Sequence, residues 1–304
     1  MSFPRRAETD AVNTYRYWDV RIKPSTYSYL DAALAEGYSV FTYDRLGTGK
    51  SQKPNGYDAV QVAPQVEILR QLTLLARAGK LVTSSVSKPP GSSPSTKIFA
   101  AYKPKKIVHV GHSLGSITTI GLLNTDNGTL SDGAILTGFI YSNKGLGAGQ
   151  LIPGWGFEYA KENDPVKFGD RSGGYIVQAR PGNVQLQFVK KGTFEPALLD
   201  YAWQIRQPAT VSEFLSISQV LGKKAAGFKG AVQVWFPPPN DPRHLSLGGI
   251  LTDLVINSSS LGRTTSASAA AIARGRTTPT PSGATSTRLR PPSTFMRCPG
   301  RDTG

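Results

Sequence analysis

A serine bracketed by glycines is the first arrangement in this chain with the makings of chemistry: Gly111-His112-Ser113-Leu114-Gly115. A serine hydroxyl is a weak nucleophile at its free pKa, and it needs a base and a place for negative charge to develop. The pattern G-x-S-x-G supplies part of that need where it joins a strand to a helix, as a nucleophile elbow. The turn is too sharp for a Cβ on either side, which explains the glycines. It lifts the hydroxyl above the strand end and directs the N–H of the following residue, here Leu114, at an incipient oxyanion. Five such letters are common, and an ordinary strand-to-helix turn can carry them, so the flanks decide. Ile107, Val108 and Val110 form a β-branched apolar run suited to a buried parallel strand, and Ile117, Ile120 and Leu123 recur at helical spacing. The spacing therefore predicts strand, turn and helix from Lys106 to Leu123, with Ser113 at the turn.

A second glycine-rich stretch is a decoy. Gly47-Thr48-Gly49-Lys50-Ser51 imitates the end of a phosphate-binding loop. That loop needs glycine where this chain has Asp44, and a helix opening at the Lys-Ser pair, where Pro54-Asn55-Gly56 follows instead. Asp44 and Arg45 read as anchors of the loop leaving the strand at Tyr38 to Tyr43.

The elements around these stretches alternate. Ser25 is a plausible N-cap for a helix through Tyr29, Leu30, Ala33 and Leu34, ended by Gly37. After the Tyr38 strand, a helix opens near Pro64, turns Val66, Leu69, Leu72 and Leu75 inward, and stops at Gly79. Ser84 to Thr96 reads as an exposed loop. Ala134 to Tyr141 is a buried strand, and Ala231 to Phe236 another. Strands alternating with helices imply a mostly parallel sheet with flanking helices. Asn143 to Lys224 breaks the rhythm with glycines and with Trp155, Phe157, Tyr159, Phe168, Tyr175, Phe188, Tyr201 and Trp203. Its second half looks helical, at Pro196 to Gln204 and Val211 to Leu221. It reads as a helical cap inserted between two strands. Its aromatics either line an apolar substrate cleft or merely cover the core.

Composition bounds the partners. The chain has 304 residues, a formal charge of +15 and one cysteine, Cys298. One cysteine excludes an intrachain disulfide and any multi-cysteine metal site. Met1 to Val20 has no apolar segment of the signal-peptide kind, and no run approaches a membrane-spanning length. Ser258 to Gly304 is rich in Ser, Thr, Pro, Ala and Arg, with Asp302 its only acid. Such a stretch buries too little to offset its conformational entropy and is expected to be a disordered basic tail. Much of the net charge is therefore in that tail. It lacks interleaved aromatics for base stacking, so no specific nucleic-acid partner is expected.

With the turn GHSLGS, the upstream YDRLGTGKS and this element order in hand, the chain resembles the α/β-hydrolase superfamily. The pair RYWD and YSYLDAALAEGYSVFTYDRLGTGKS is similar to a group of serine hydrolases abundant in fungi, from about Thr14 to about Val234. The resemblance implies an α/β-hydrolase fold with Ser113 as nucleophile and Leu114 as one oxyanion donor. It implies esterase or lipase chemistry on a small-molecule ester or apolar acyl substrate, without cofactor or metal. It also implies an acid after the strand AVQVWF, where Asp241 stands, and a histidine further on, where His244 is the only one left. Related proteins are often secreted. The chain departs from the family in two respects. The strand ending in His-Gly that precedes RYWD in the family is replaced by SFPRRAETDAVN, and Asp241 and His244 stand three residues apart, where relays draw on separate loops. Of the other histidines, His109 lies on the turn's strand and points away by alternation, and His112 is the turn's own second residue. The domains expected are a core over 14–142, a cap over 143–224, a return to the core over 225–257 and the tail over 258–304. The alternative is a hydrolase-fold protein that lacks the triad histidine and binds without turnover.

Overall fold

The computed structural model describes residues 14–81, 83–87, 95–99, 102–138, 156–189, 191–221, 223–235 and 251–257. The expected tail, 258–304, lies outside them, as do Asp241, His244 and the start of the expected cap.

A 3-10 turn over Thr14–Tyr17 leads into helices α1 (Pro24–Tyr27) and α2 (Tyr29–Ala35). The N-cap of α2 is Ser28 rather than the expected Ser25: its hydroxyl accepts from the Asp31 N–H at 3.0 Å. Pro24 takes the first turn of α1, which makes Ser25 interior to that turn. Strand β1 (Tyr38–Phe41) follows, then α3 (Val62–Arg77), β2 (Thr83–Ser87), β3 (Ser95–Phe99), β4 (Lys106–His112), α4 (Leu114–Thr125) and β5 (Gly133–Thr137). The stretch read as an exposed loop thus carries an antiparallel hairpin, β2 with β3, whose short Ser- and Thr-rich strands gave no apolar alternation to find. The insertion contains β6 (Phe157–Tyr159), α5 (Ala160–Asn163), α6 (Pro165–Phe168), β7 (Tyr175–Gln178), α7 (Pro181–Phe188), α8 (Pro196–Ile205), β8 (Ala209–Thr210) and α9 (Val211–Ser216). Strands β9 (Ala231–Trp235) and β10 (Leu251–Asn257) close the series.

The main sheet runs β1-β10-β4-β5-β9. Strands β4, β5 and β9 are mutually parallel, and β10 is antiparallel to both β1 and β4, so β1 also runs with β4. This is the mostly parallel sheet expected, with one departure: the place between β1 and β4 is taken by residues 251–257, which were expected to return to the core but not as a strand of this sheet. LTDLVIN alternates only weakly, and it is set in a Ser- and Gly-rich context.

Both faces of the sheet are covered. Residues on β4 alternate, and Ile107 packs on Ala76 of α3 while Val110, on the other face, packs among Trp18, Tyr17, Tyr29 and Tyr38. Helices α3 and α4 join through Val62, Val66, Leu114 and Ile117, and further along through Leu69 and Leu122, which Leu130 of the following loop covers. Leu69, Leu122 and Val62 are fully buried, each contributing roughly 1.5–3 kcal/mol over an exposed position. Leu75 is exposed rather than inward, since α3 turns Thr73 and Ala76 to the core at that level.

The insertion is not purely helical. It holds a three-stranded antiparallel sheet, β6-β7-β8, beside its short helices. Several of its described aromatics pack where the insertion meets the core. Phe168 and Tyr175 share a cluster with Val60 and Val177, and Phe188 shares one with Val20, Val184 and Leu198.

Candidate active site

The turn after β4 departs from ordinary backbone geometry. Ser113 has φ 53° and ψ −118°, one of two non-glycine residues with positive φ among the described residues. That combination belongs to the first central residue of a II′ turn, where glycine normally sits. An L-residue held there stores about 1–3 kcal/mol of strain and persists only where its surroundings over-determine it. The surroundings do so here. A Cβ on Gly111 would stand 2.6 Å from the Gly115 carbonyl carbon, because the first turn of α4 presses directly on the end of β4. The Ser113 N–H donates to the Thr137 carbonyl at 2.9 Å, and the Ser113 carbonyl accepts the first helical bond, from Ile117, at 3.2 Å.

A residue pair not singled out in the sequence completes the clamp. Ser116 Oγ donates to the Thr137 carbonyl at 2.9 Å and accepts from the Thr137 N–H at 3.2 Å. This reciprocal pair ties the first turn of α4 to the end of β5. A hydroxyl three residues after Ser113 was the available signal, but serine is too common in helix starts for the letter alone to carry it.

Ser113 is half-buried, and its side chain makes no capping bond to α4. Leu114 opens the helix, so its N–H has no intrahelical acceptor. The twelve-residue helix adds the positive end of its dipole at the same point. A hydroxyl, an open N–H and a helix N-terminus therefore meet at the C-terminal edge of the parallel strands. Such an arrangement is suited to attack on a carbonyl with the oxyanion held by the backbone.

Neither described histidine is placed as a base for that hydroxyl. His109 is fully buried on the α3 side of the sheet, as its alternation implied. Its ring nitrogens meet Thr73 Oγ1 at 3.0 Å and Ser131 Oγ at 2.8 Å. Both hydroxyls also reach carbonyls, those of Leu69 and Gly133. A neutral imidazole has one N–H, so one hydroxyl must turn its proton from its carbonyl to the ring. Burial, reinforced by Arg77 and opposed by Asp126 and Asp132, pushes the His109 pKa down to about 3. His112 lies on the opposite face, its ring 5.1 Å from that of Tyr17. Thr137 Oγ1 donates to the Gly111 carbonyl at 3.1 Å, which leaves it to accept from His112 Nδ1–H at 2.9 Å. Burial holds this ring neutral too, with a pKa of about 4.

The decoy loop resolves as expected. Its glycines close on a carboxylate instead of a phosphate: Asp44 Oδ2 accepts from the Lys50 N–H at 2.9 Å, and a Cβ on Gly49 would fall 2.2 Å from that oxygen. Arg45 is wholly buried and pairs with Glu213 of α9. The Glu213 carboxylate also accepts from Gln65 Nε2 at 3.1 Å and from the Thr210 N–H at 2.9 Å, so core and insertion are joined by one buried polar cluster. Arg45 thus anchors the loop through a partner 168 residues away.

Among the described residues no group of three or more His, Cys, Asp or Glu side chains is placed to hold a metal ion, and no helix is long and apolar enough to cross a membrane. Residues 12–281 match the family model of the alpha/beta hydrolase family. No curated protein and no solved structure matches the sequence.

Proposed function

Because the chain belongs to the alpha/beta hydrolase family, we propose that it is a serine hydrolase of esterase type working by acyl transfer through Ser113. The observation that carries the reading is the backbone of Ser113, held at φ 53° and ψ −118° at the mouth of α4. In this mechanism Ser113 Oγ attacks the ester carbonyl and gives its proton to a base, while the Leu114 N–H takes the oxyanion. Collapse breaks the C–O bond, and the leaving alcohol takes the proton from the base. Water then attacks the acyl-serine by the same route in reverse, releasing the acid and restoring the hydroxyl. Asp241 and His244 are the acid and base this reading assigns, since His109 and His112 are engaged elsewhere. The insertion serves as a cap over the turn, and its apolar character suits a small ester with an apolar or ring-containing acyl group.

Hydrolysis of a p-nitrophenyl ester series, from acetyl to longer acyl chains and a benzoyl ester, tests the reading. Ser113→Ala is expected to lower kcat/KM by at least about 10³-fold. Turnover that survives in Ser113→Ala would place the chemistry elsewhere. A second reading, a hydrolase fold that binds without turnover, is favoured by the engagement of both described histidines. It predicts no turnover by wild-type protein, together with saturable binding of a non-hydrolysable ester analogue.

A further inference from the structure

Away from Ser113, a set of charges in the insertion gathers around a single ring. Phe168, the last residue of α6, is 1% exposed. The Lys167 ammonium stands 5.2 Å from its centroid, and the guanidinium carbons of Arg206 and Arg171 stand at 5.6 and 5.9 Å. Arg206 also lies 3.5 Å over Trp203. A ring attracts a cation to its face, but three cations about one ring repel each other. Two carboxylates answer them: Asp164 accepts from Arg206 Nη2 at 3.1 Å, and Asp170 pairs with Arg171 and with Lys53. Arg16 contributes further positive charge at Lys167. Among the described residues the cluster is in cationic excess.

Hydrogen-bond accounting points the same way. The side chains of Arg206 and Arg171 are 7% and 4% exposed. Arg206 places Nη1 on the Trp203 carbonyl and Nη2 on Asn163 and Asp164. Its Nε–H is buried without an acceptor among the described residues, and so is that of Arg171. A buried donor left unmet costs about 1–3 kcal/mol. Lys167 donates to the Gln204 carbonyl at 2.6 Å, and an ammonium has two further N–H groups.

We propose that Lys167 and Arg206 form a binding site for a small oxyanion, a carboxylate or phosphate group, which accepts from their open donors, with Arg171 adding positive charge beside Phe168. Several N–H groups around an excess of positive charge match an anion with more than one oxygen. Phe168 and Trp203 provide the low-polarity walls that strengthen such pairing. The site is independent of the chemistry proposed at Ser113, and its test uses no turnover.

Burial, and then the charge of Arg206, lower the Lys167 pKa to about 8, with Asp164 opposing and Arg16 adding to the shift. A bound anion pulls it back up, which makes the amine less nucleophilic. Wild-type protein at pH 8 is trace-labelled with acetic anhydride in sodium phosphate, sodium malonate or sodium chloride at matched ionic strength. Peptide mass spectrometry then compares Lys167 with exposed Lys161. A rise of one unit from 8 lowers the neutral fraction, and with it the labelling of Lys167, about fivefold. Protection by phosphate alone identifies a phosphate site, protection by malonate alone a carboxylate site, and protection by both a general oxyanion site. Labelling of Lys167 that is the same in all three salts overturns the proposal. Thermal unfolding of Lys167→Met provides the second readout: phosphate should raise the wild-type Tm above its value in chloride and leave the variant unmoved. Equal shifts in both proteins would also overturn it.

Discussion

Replacing Ser113 with glycine should stabilise this protein relative to replacing it with alanine. Both substitutions delete the hydroxyl, so the comparison isolates the backbone. At φ 53° and ψ −118° an alanine keeps the Cβ clash that serine has, whereas glycine has none. Relief of that clash is worth about 1–3 kcal/mol. Against it, glycine loses more freedom on folding, by roughly 0.5–1 kcal/mol. The strain range lies above the entropy range, so the glycine variant should be more stable by up to about 2.5 kcal/mol, or roughly 2–4 °C in Tm for each kcal/mol in a body of this size. Urea denaturation followed by far-UV circular dichroism, with calorimetric Tm as a check, measures the difference. The m-value should be common to both variants, because the surface exposed on unfolding is the same. An alanine variant as stable as the glycine variant, or more so, would refute the argument that the turn holds Ser113 under strain.

Other consequences follow from the buried polar groups. Glu213→Gln leaves the Arg45 guanidinium without its carboxylate at full burial, and should lower stability by about 3–5 kcal/mol in the same denaturation assay. A loss under about 1 kcal/mol would mean that the ion pair does not join core and insertion as described. His109 and His112 have folded pKa values lowered to about 3 and 4, so below the ordinary histidine range the unfolded chain binds protons that the folded chain refuses. Their contribution is present above about pH 6.5 and is lost as pH falls towards 4, with a slope of up to about 2.7 kcal/mol per pH unit from the pair. Denaturation midpoints that stay flat from pH 7 to 5 would contradict the burial of these rings. Gly49→Ala drives a Cβ into the Asp44 carboxylate at positive φ and should destabilise the loop, whereas ATP should not shift the Tm of the wild-type protein.

The fold was legible where pattern and packing agree. β4, the turn at Ser113 and α4 carried a β-branched run, paired glycines and helical spacing in succession, and each signal reported a constraint that the structure imposes. Asp44 betrayed the decoy loop by standing where a phosphate-binding loop needs glycine, and its carboxylate takes the loop's N–H in the fold. What escaped depended on long-range pairing. Glu213 was not singled out, since nothing local shows that Arg45 and Gln65 converge on it. The Ser116–Thr137 pair joins two elements through letters too frequent to single out. β10 escaped because its place in the sheet is set by the gap between β1 and β4, a property of neighbours far away in sequence. The apolar cap was read from aromatic density, and several of those rings, Phe168 and Tyr175 among them, turned out to pack the insertion against Val60 and Leu46 of the core. Asp241 and His244 lie outside the described residues, so the relay is still the expectation that the sequence supplied.

The central claim is that the hydroxyl of Ser113 is an activated nucleophile, and covalent labelling by a fluorophosphonate tests it without knowledge of the substrate. The folded wild-type protein should take up one phosphonyl group, located on Ser113 by peptide mass spectrometry, and Ser113→Ala should take up none. Folded wild-type protein that remains unlabelled at long exposure, or that labels equally with Ser113 removed, would contradict the account.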